Sequence, residues 1–183
     1  MRILAISGSL RAASSNGALL DAAAQLAPSG VRIERFDGIA ALPHFNPDLD
    51  VEPPPRAVAL WRGALREADA IAISSPEYVH GVPGALKNAL DWIVSSGELG
   101  GKPLALIDTS RSSYATPQLR EILTTMEARL VPSASITLHL WTNRLDAAAI
   151  LANERAAGAL RAAVAELCAH ARETAGAIRA ASD

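Results

Sequence analysis

The feature that most constrains the fold is a regular alternation between short apolar runs and longer segments of helical pattern. Three segments contain continuous apolar runs of strand length, which are typical of strands buried on both faces: Arg2–Ser7, Ala68–Ser75 and Lys102–Asp108. Two further strands are predicted over Val31–Phe36 and Ser133–Leu140. Strands that alternate with helices form open parallel sheets covered by helices on both faces. We therefore predict an α/β fold.

Four helices are predicted between these strands from the spacing of their apolar residues: Asn16–Ala27, Arg56–Glu67, Gly84–Ser96 and Thr116–Arg129. From Asp146 onward the chain is alanine-rich and helical, with a break around Asn153. The proline-rich stretch from Leu42 to Pro55 fits neither a helix nor an inner strand, so we expect an ordered surface excursion. Since no linker or repeat is visible, residues 1–183 are expected to form a single domain.

Charge and cysteine content narrow the class of function. The 183 residues carry 17 basic and 19 acidic side chains, a net charge of −2, which argues against nucleic acid or an anionic membrane as the main partner. No apolar run approaches the ~20 residues needed to cross a membrane. The single cysteine, Cys168, excludes a disulfide framework and has no partner at a metal-binding spacing. These features favour a cytoplasmic protein, with no metal site predicted.

The loop after the first strand is suited to binding a phosphate. It runs Ser7-Gly8-Ser9-Leu10-Arg11-Ala12-Ala13-Ser14-Ser15-Asn16 and leads into a helix, whose N-terminus offers free N–H groups and a positive dipole end. The alternative is that Ser14 or Ser15 only caps the helix while Arg11 is solvated. The loop lacks both the P-loop and the dinucleotide-binding glycine patterns, which favours a phosphomonoester.

The loop after the third strand reads Ser74-Ser75-Pro76-Glu77-Tyr78-Val79-His80-Gly81-Val82-Pro83-Gly84. Its two glycines and two prolines predict a fixed turn whose N–H groups are available to the edge of a ligand. The alternative is a purely structural turn, with Glu77 solvated and Tyr78 packed on the next helix.

Together these loops carry a family resemblance. Gly8–Asn16 resembles the phosphate loop of the NADPH-dependent FMN reductases, a flavodoxin-like family that includes quinone, chromate and azo reductases. Pro76-Glu77-Tyr78, with Gly81–Trp92 after it, resembles that family's second signature, and the two motifs stand in the same order. The resemblance extends over nearly the whole chain and implies a three-layer sandwich around a five-stranded parallel sheet in the order 2-1-3-4-5.

The resemblance also implies the cofactor contacts. The FMN phosphate is expected among Ser9, Arg11, Ser14 and Asn16, with Ser15 joining through its N–H. The ring edge is expected along Pro76, Glu77, Tyr78 and Val79, through backbone N–H groups. The third loop, with Thr109, Ser110 and Arg111, is expected near the other end of the ring, although it lacks the family's usual glycines. Many members carry asparagine where this chain has Val79.

The implied activity is hydride transfer from NAD(P)H through FMN to a quinone, azo, metal-oxyanion or flavin acceptor. The cofactor supplies the redox chemistry, so no catalytic side chain is assigned. Arg111 is a candidate to stabilise negative charge near flavin N1, its alternative being a solvated residue. A homodimer or homotetramer is expected from the family.

Two other functions remain open from the sequence. A flavodoxin-type electron carrier would bind FMN without oxidising NAD(P)H itself, but such carriers are usually acidic. A phosphomonoester hydrolase or nucleotide-binding regulator would use the serine loop alone. No nucleophile and base pair is visible beside that loop.

Overall fold

The computed structural model describes residues 1–109, 113–139 and 145–180. Its sheet is parallel and has the strand order β2-β1-β3-β4-β5, with a further short strand, β6, also paired to β4. The strands are β1 (Arg2–Ser7), β2 (Arg32–Arg35), β3 (Ala70–Ser74), β4 (Pro103–Asp108), β5 (Arg129–Leu130) and β6 (Ile136–Thr137). The predicted order 2-1-3-4-5 is confirmed.

Helices cover both faces of this sheet. They are α1 (Ser15–Gln25), α2 (Arg56–Arg66), α3 (Gly84–Asp91), α4 (Ala115–Thr125), α5 (Ala147–Ala152) and α6 (Glu154–Ala180). Alternate residues of each inner strand enter opposite cores, because successive side chains point to opposite faces. Leu4 and Ile6 pack with α2, α3 and α4, whereas Ile3 and Ala5 pack with α1, α5 and α6. Among the helices of the described residues, none combines the length and apolar character that a membrane crossing needs.

The predicted last strand, Ser133–Leu140, is the main difference. Only β6 lies in that range, beside Ile107–Asp108 of β4, whereas β5 precedes it and lies beside Pro103–Leu104. A 3-10 turn over Pro132–Ala134 separates them, since proline has no N–H to donate to the ladder. Leu140 lies outside the described residues.

Two predicted helices end earlier than their apolar pattern indicates. Helix α3 stops at Asp91 rather than Ser96, although Trp92 and Ile93 remain buried. Helix α4 stops at Thr125, because Glu127 adopts a left-handed backbone with φ of 59°. The predicted break at Asn153 is confirmed, and its side chain accepts the Ala156 N–H at 3.0 Å.

The proline-rich excursion is an ordered segment anchored to α2 and α3. The guanidinium of Arg62, only 4% exposed, donates to Asp50 Oδ1 at 2.6 Å and to the Trp92 carbonyl at 2.7 Å. Asn88 in α3 accepts the Phe45 N–H and donates to the Pro43 carbonyl, at 2.7 and 2.9 Å. The excursion is therefore held against α2 and α3.

Candidate cofactor site

The loops that follow β1, β3 and β4 meet at the carboxyl end of the sheet, where open α/β sheets bind their ligands. The Gly8 N–H donates to the Ser74 carbonyl at 2.8 Å, so the first loop starts against the end of β3. A Cβ on Gly8 would lie 2.6 Å from Ser75 Oγ and 3.1 Å from Leu86 Cδ2. Glycine is required here because the two loops approach so closely.

Within the first loop, backbone and hydroxyl groups set the path of the chain. The Ser9 N–H donates to Ser7 Oγ at 3.2 Å, and the Arg11 N–H donates to Ser9 Oγ at 3.3 Å. The Arg11 side chain is exposed and forms no ion pair with any described residue. Its guanidinium is therefore available to an anion.

The loop ends in the first turn of α1. Ser14 is the N-cap and accepts the Gly17 N–H at a long 3.5 Å. The Ser15 hydroxyl is buried, and it finds no hydrogen-bond partner within the described part of the chain. This hydroxyl is enclosed by protein rather than open to a ligand. Capping by Ser14 is thus observed, and anion binding at the start of α1 stays a prediction.

Asn16 is buried and faces the ends of two strands. Its Oδ1 accepts the Ser74 hydroxyl at 2.9 Å and the Thr109 hydroxyl at 3.5 Å. The first loop, the end of β3 and the start of the third loop are therefore joined at one oxygen atom. A contact of Asn16 with the phosphate stays a prediction.

The second loop turns at Tyr78–Gly81, where each of these two residues donates its N–H to the other's carbonyl, at 3.0 and 2.9 Å. Both central residues have positive φ, 49° at Val79 and 58° at His80, as in a type I′ turn. The Val79 side chain is fully exposed. A β-branched residue is unusual in this backbone conformation, so the turn is strained.

The same loop is cross-linked to the start of α4. The Glu77 carboxylate accepts the N–H groups of Tyr114 and Ala115, both at 2.9 Å, and so caps the helix. The His80 ring stacks on Tyr114 with centroids 4.1 Å apart, and Gln118 Nε2 donates to the His80 carbonyl at 3.2 Å. Glu77 is thus a capping residue, not a solvated one.

A cleft of about 350 Å³ opens between the first and second loops. A smaller cavity of about 200 Å³ shares Leu10 and Arg11 with it and includes the hydroxyls of Ser9 and Ser14. The larger cleft is mostly apolar, and its lining comprises Gly8, Leu10, Arg11, Tyr78, Pro83, Gly84 and Ala85. Pro76, by contrast, does not line either of these cavities.

The third loop begins at a buried carboxylate. Asp108 Oδ1 accepts the Ser75 N–H at 3.5 Å, and Oδ2 accepts the Thr116 hydroxyl at 3.0 Å. Burial raises the pKa of the Asp108 carboxyl above its usual value, against the opposing effect of these hydrogen bonds. Thr109 follows it and is half-buried. Ser110 and Arg111 lie outside the described residues, so their predicted roles stay predictions.

Several residues that shape the site were not singled out from the sequence. Ser74 and Asp108 end their strands as polar residues after apolar runs, which is a usable signal for the sheet's carboxyl edge. Tyr114 and Gln118 gave no such signal, because their contacts with His80 depend on how two separate loops meet.

The described residues fit a phosphomonoester cofactor of the FMN kind. Ser9, Arg11 and Ser14 line one cavity at the start of α1 and supply hydroxyl and guanidinium groups, and the carboxylate among its lining residues, Asp37, is paired with Arg35 at 2.6 Å. The apolar cleft beside them has room for part of a planar ring system.

Known proteins resemble this chain in sequence and in fold. An NAD(P)H-dependent FMN reductase of Pseudomonas aeruginosa is 34% identical over 162 residues, covering 85% of this chain and 87% of that protein. A quinone reductase of Escherichia coli K12 is 31% identical over 157 residues, covering 80% and 81%. The NAD(P)H:(acceptor) oxidoreductase FerB of Paracoccus denitrificans superposes with a TM-score of 0.73 at 27% identity, covering 92% and 98%.

A flavodoxin, WrbA-like protein of Agrobacterium tumefaciens shares the fold, with a TM-score of 0.61 at 14% identity and coverage of 94% and 98%. The family described as NADPH-dependent FMN reductase matches residues 1–143. That match spans the β1 loop, the β3 loop and the start of the third loop. The chain belongs to the NADPH-dependent FMN reductase family, whose members are oxidoreductases that use FMN and NADPH.

Proposed function

We propose that this chain transfers reducing equivalents from NAD(P)H to a small quinone acceptor, using FMN as its bound cofactor. The Arg11 guanidinium carries the proposal, because it is exposed, forms no ion pair with any described residue, and lines one cavity with Ser9 and Ser14 at the start of α1. The names of the quinone reductases among its relatives support the acceptor class. Azo compounds, metal oxyanions and free flavin are further candidate acceptors from the sequence.

In this proposal the protein's own residues bind the cofactor and orient it. Ser9, Arg11, Ser14 and Ser15 would hold the phosphate, while the turn at Val79 presents backbone to the ring edge. When bound, FMN supplies the hydride acceptance and donation that no side chain can provide. The exposed, mostly apolar cleft leaves room for a planar acceptor beside the site.

The test is an absorbance titration of the purified chain with FMN, followed by NADPH and NADH oxidation with a benzoquinone and no partner reductase. We expect flavin absorbance to remain with the protein and quinone reduction to follow. FMN binding without NAD(P)H oxidation would support the flavodoxin-type carrier instead. Absence of FMN binding would support the phosphomonoester hydrolase or regulator.

A matched pair of variants tests the phosphate subsite. Arg11→Ala removes the guanidinium that lines the cavity at the start of α1, so we expect a larger loss of affinity for FMN than for riboflavin, which lacks the phosphate. Arg161→Ala is the control, because Arg161 is exposed on α6 and lines neither cavity. Equal FMN affinity in both variants would contradict the assignment of Arg11.

We also propose that two or more copies assemble through an apolar surface beside α3. Leu49, Val51 and Val94 are 45%, 59% and 65% exposed, and a 2.5 Å hydrogen bond from Ser95 to Asp50 holds their segments together. Light scattering should give a multiple of the 19.1 kDa chain mass, and Val94→Asp should lower it. A wild-type mass of 19.1 kDa would contradict assembly.

The single-domain organisation of residues 1–183 and the cytoplasmic location stay predictions.

A further inference from the structure

We propose that Asn16 couples the phosphate subsite to the loops after β3 and β4, so that an anion at the start of α1 strengthens binding of the ring. The inference rests on the proposed function and deepens it. It assigns Asn16 as a positioning residue, through the hydroxyls of Ser74 and Thr109.

The two ends of the Asn16 amide have different surroundings. Its Oδ1 is engaged by both hydroxyls, at 2.9 and 3.5 Å. Its Nδ2 donates to no acceptor in the described ranges 1–109, 113–139 and 145–180. One buried side chain thus has a donor without an acceptor in the first turn of a helix of 11 residues.

The planar amide makes these two ends act together. A phosphate that accepts from Nδ2 polarises the amide and strengthens Oδ1 as an acceptor. It also fixes the side chain in the rotamer that receives both hydroxyls, because amide nitrogen and oxygen move as one rigid group. An occupied phosphate subsite therefore favours the arrangement in which Asn16 Oδ1 accepts both the Ser74 and the Thr109 hydroxyls, at the ends of β3 and β4. We call this pair of hydrogen bonds the clasp.

These strand ends control the rest of the site. Ser74 is followed directly by Ser75 and by the loop that leads to the Val79 turn. Ser75 is held in turn by Asp108, the residue before Thr109. Clasping Ser74 and Thr109 therefore orders the starts of both the second and third loops.

The consequence is a measurable coupling between two ligands that together make up FMN. Inorganic phosphate should tighten riboflavin binding, and riboflavin should tighten phosphate binding by the same factor, because coupling free energies are reciprocal. We expect a factor of at least about fivefold, the lower end of typical coupling between sites. If the clasp had only a structural role, its removal would lower the stability of the protein and leave this coupling factor unchanged.

The experiment measures riboflavin affinity by fluorescence quenching, in saturating inorganic phosphate and in chloride of equal ionic strength. Wild type should show the tightening. The variant Ser74→Ala with Thr109→Val lacks both hydroxyl donors to Oδ1, so it should bind riboflavin equally in the two salts. Ser135→Ala is the control, since it removes a hydroxyl that bridges the Leu106 N–H and the Val131 carbonyl on the β4 edge. It should keep the full factor.

Asn16→Asp provides an independent variant should the double variant fail to fold. It keeps an oxygen for the two hydroxyls but replaces the Nδ2 donor with a second acceptor. The ratio of riboflavin affinity in phosphate to that in chloride should then fall to about one, because no donor remains at this position to bind the phosphate. Retention of the effect in either variant would overturn the role of Asn16.

A parallel FMN titration separates this inference from the proposed function. Tight FMN binding with no phosphate effect on riboflavin would overturn the coupling and leave the FMN site intact. If neither FMN nor riboflavin binds, the proposed function and the coupling fail together.

Discussion

Val79 offers the sharpest test of how the turn at Tyr78–Gly81 is built. Its φ of 49° lies in the left-handed region, where the branched Cβ crowds the following carbonyl. Its side chain is fully exposed, so no packing compensates for this strain. Asparagine tolerates the left-handed region, and it is the residue that type I′ turns prefer at this position. Val79→Asn should therefore stabilise the apoprotein.

The magnitude follows from the conformational penalty alone. A left-handed conformation costs an ordinary L-residue about 1–2 kcal/mol, so relief at Val79 should add about 1 kcal/mol to the free energy of unfolding. For a chain of this size that corresponds to a rise in Tm of about 2–4 °C. Val79→Gly should gain less, because glycine adds about 0.5–1 kcal/mol of chain entropy to the unfolded state. Val79→Ala keeps its Cβ and should gain least.

Urea unfolding of the apoprotein gives the free energy for each variant. His44→Asn is the control, because His44 is exposed in a loop and is not among the residues with positive φ. It should change stability by less than about 0.5 kcal/mol. If Val79→Asn is no more stable than wild type, or if His44→Asn gains as much, the turn is not strained and the reasoning fails.

Three further outcomes follow from the site. Gly8→Ala places a Cβ 2.6 Å from Ser75 Oγ and should lower the free energy of unfolding by about 1–3 kcal/mol, whereas Gly63→Ala, with open space around it in α2, should raise it. Glu77→Ala removes the acceptor of two N–H groups at the start of α4 and should cost about 0.5–2 kcal/mol in urea unfolding; no change would contradict the cap. Burial raises the pKa of Asp108, so its ionised form is destabilised in the fold. The stability of wild type relative to Asp108→Asn should then fall as the pH rises from about 4 through the raised pKa, and a pH-independent difference would oppose this.

The inner sheet could be predicted from the sequence because burial on both faces leaves an unmistakable apolar run. Arg2–Ser7 was predicted to the residue, and the other two buried strands to within one or two. The edge beyond β4 could not, because β5 and β6 are two residues each and carry little apolar pattern. There, Pro132 interrupts the ladder and tertiary contacts decide the pairing.

At the site, the sequence located the loops but not the contacts between them. Ser9, Arg11 and Ser14 lie together as predicted, since they belong to one short segment. The capping of α4 by Glu77 joins residues 37 and 38 positions apart, and the clasp of Asn16 on Thr109 spans 93 positions. Such pairs follow from the packing of separate loops, which no local pattern encodes.

The distribution of these long-range contacts explains how a strained turn can persist at the site. The Val79 turn gains nothing from its own exposed side chain, yet both of its flanks are held by α4. On one side Glu77 is bound to the helix start, and on the other the His80 carbonyl accepts from Gln118. Local strain survives only where the surroundings over-determine the backbone, and here a helix outside the turn supplies that constraint. The position of the backbone N–H groups in the Tyr78–Gly81 turn therefore depends on α4 as well as on the second loop.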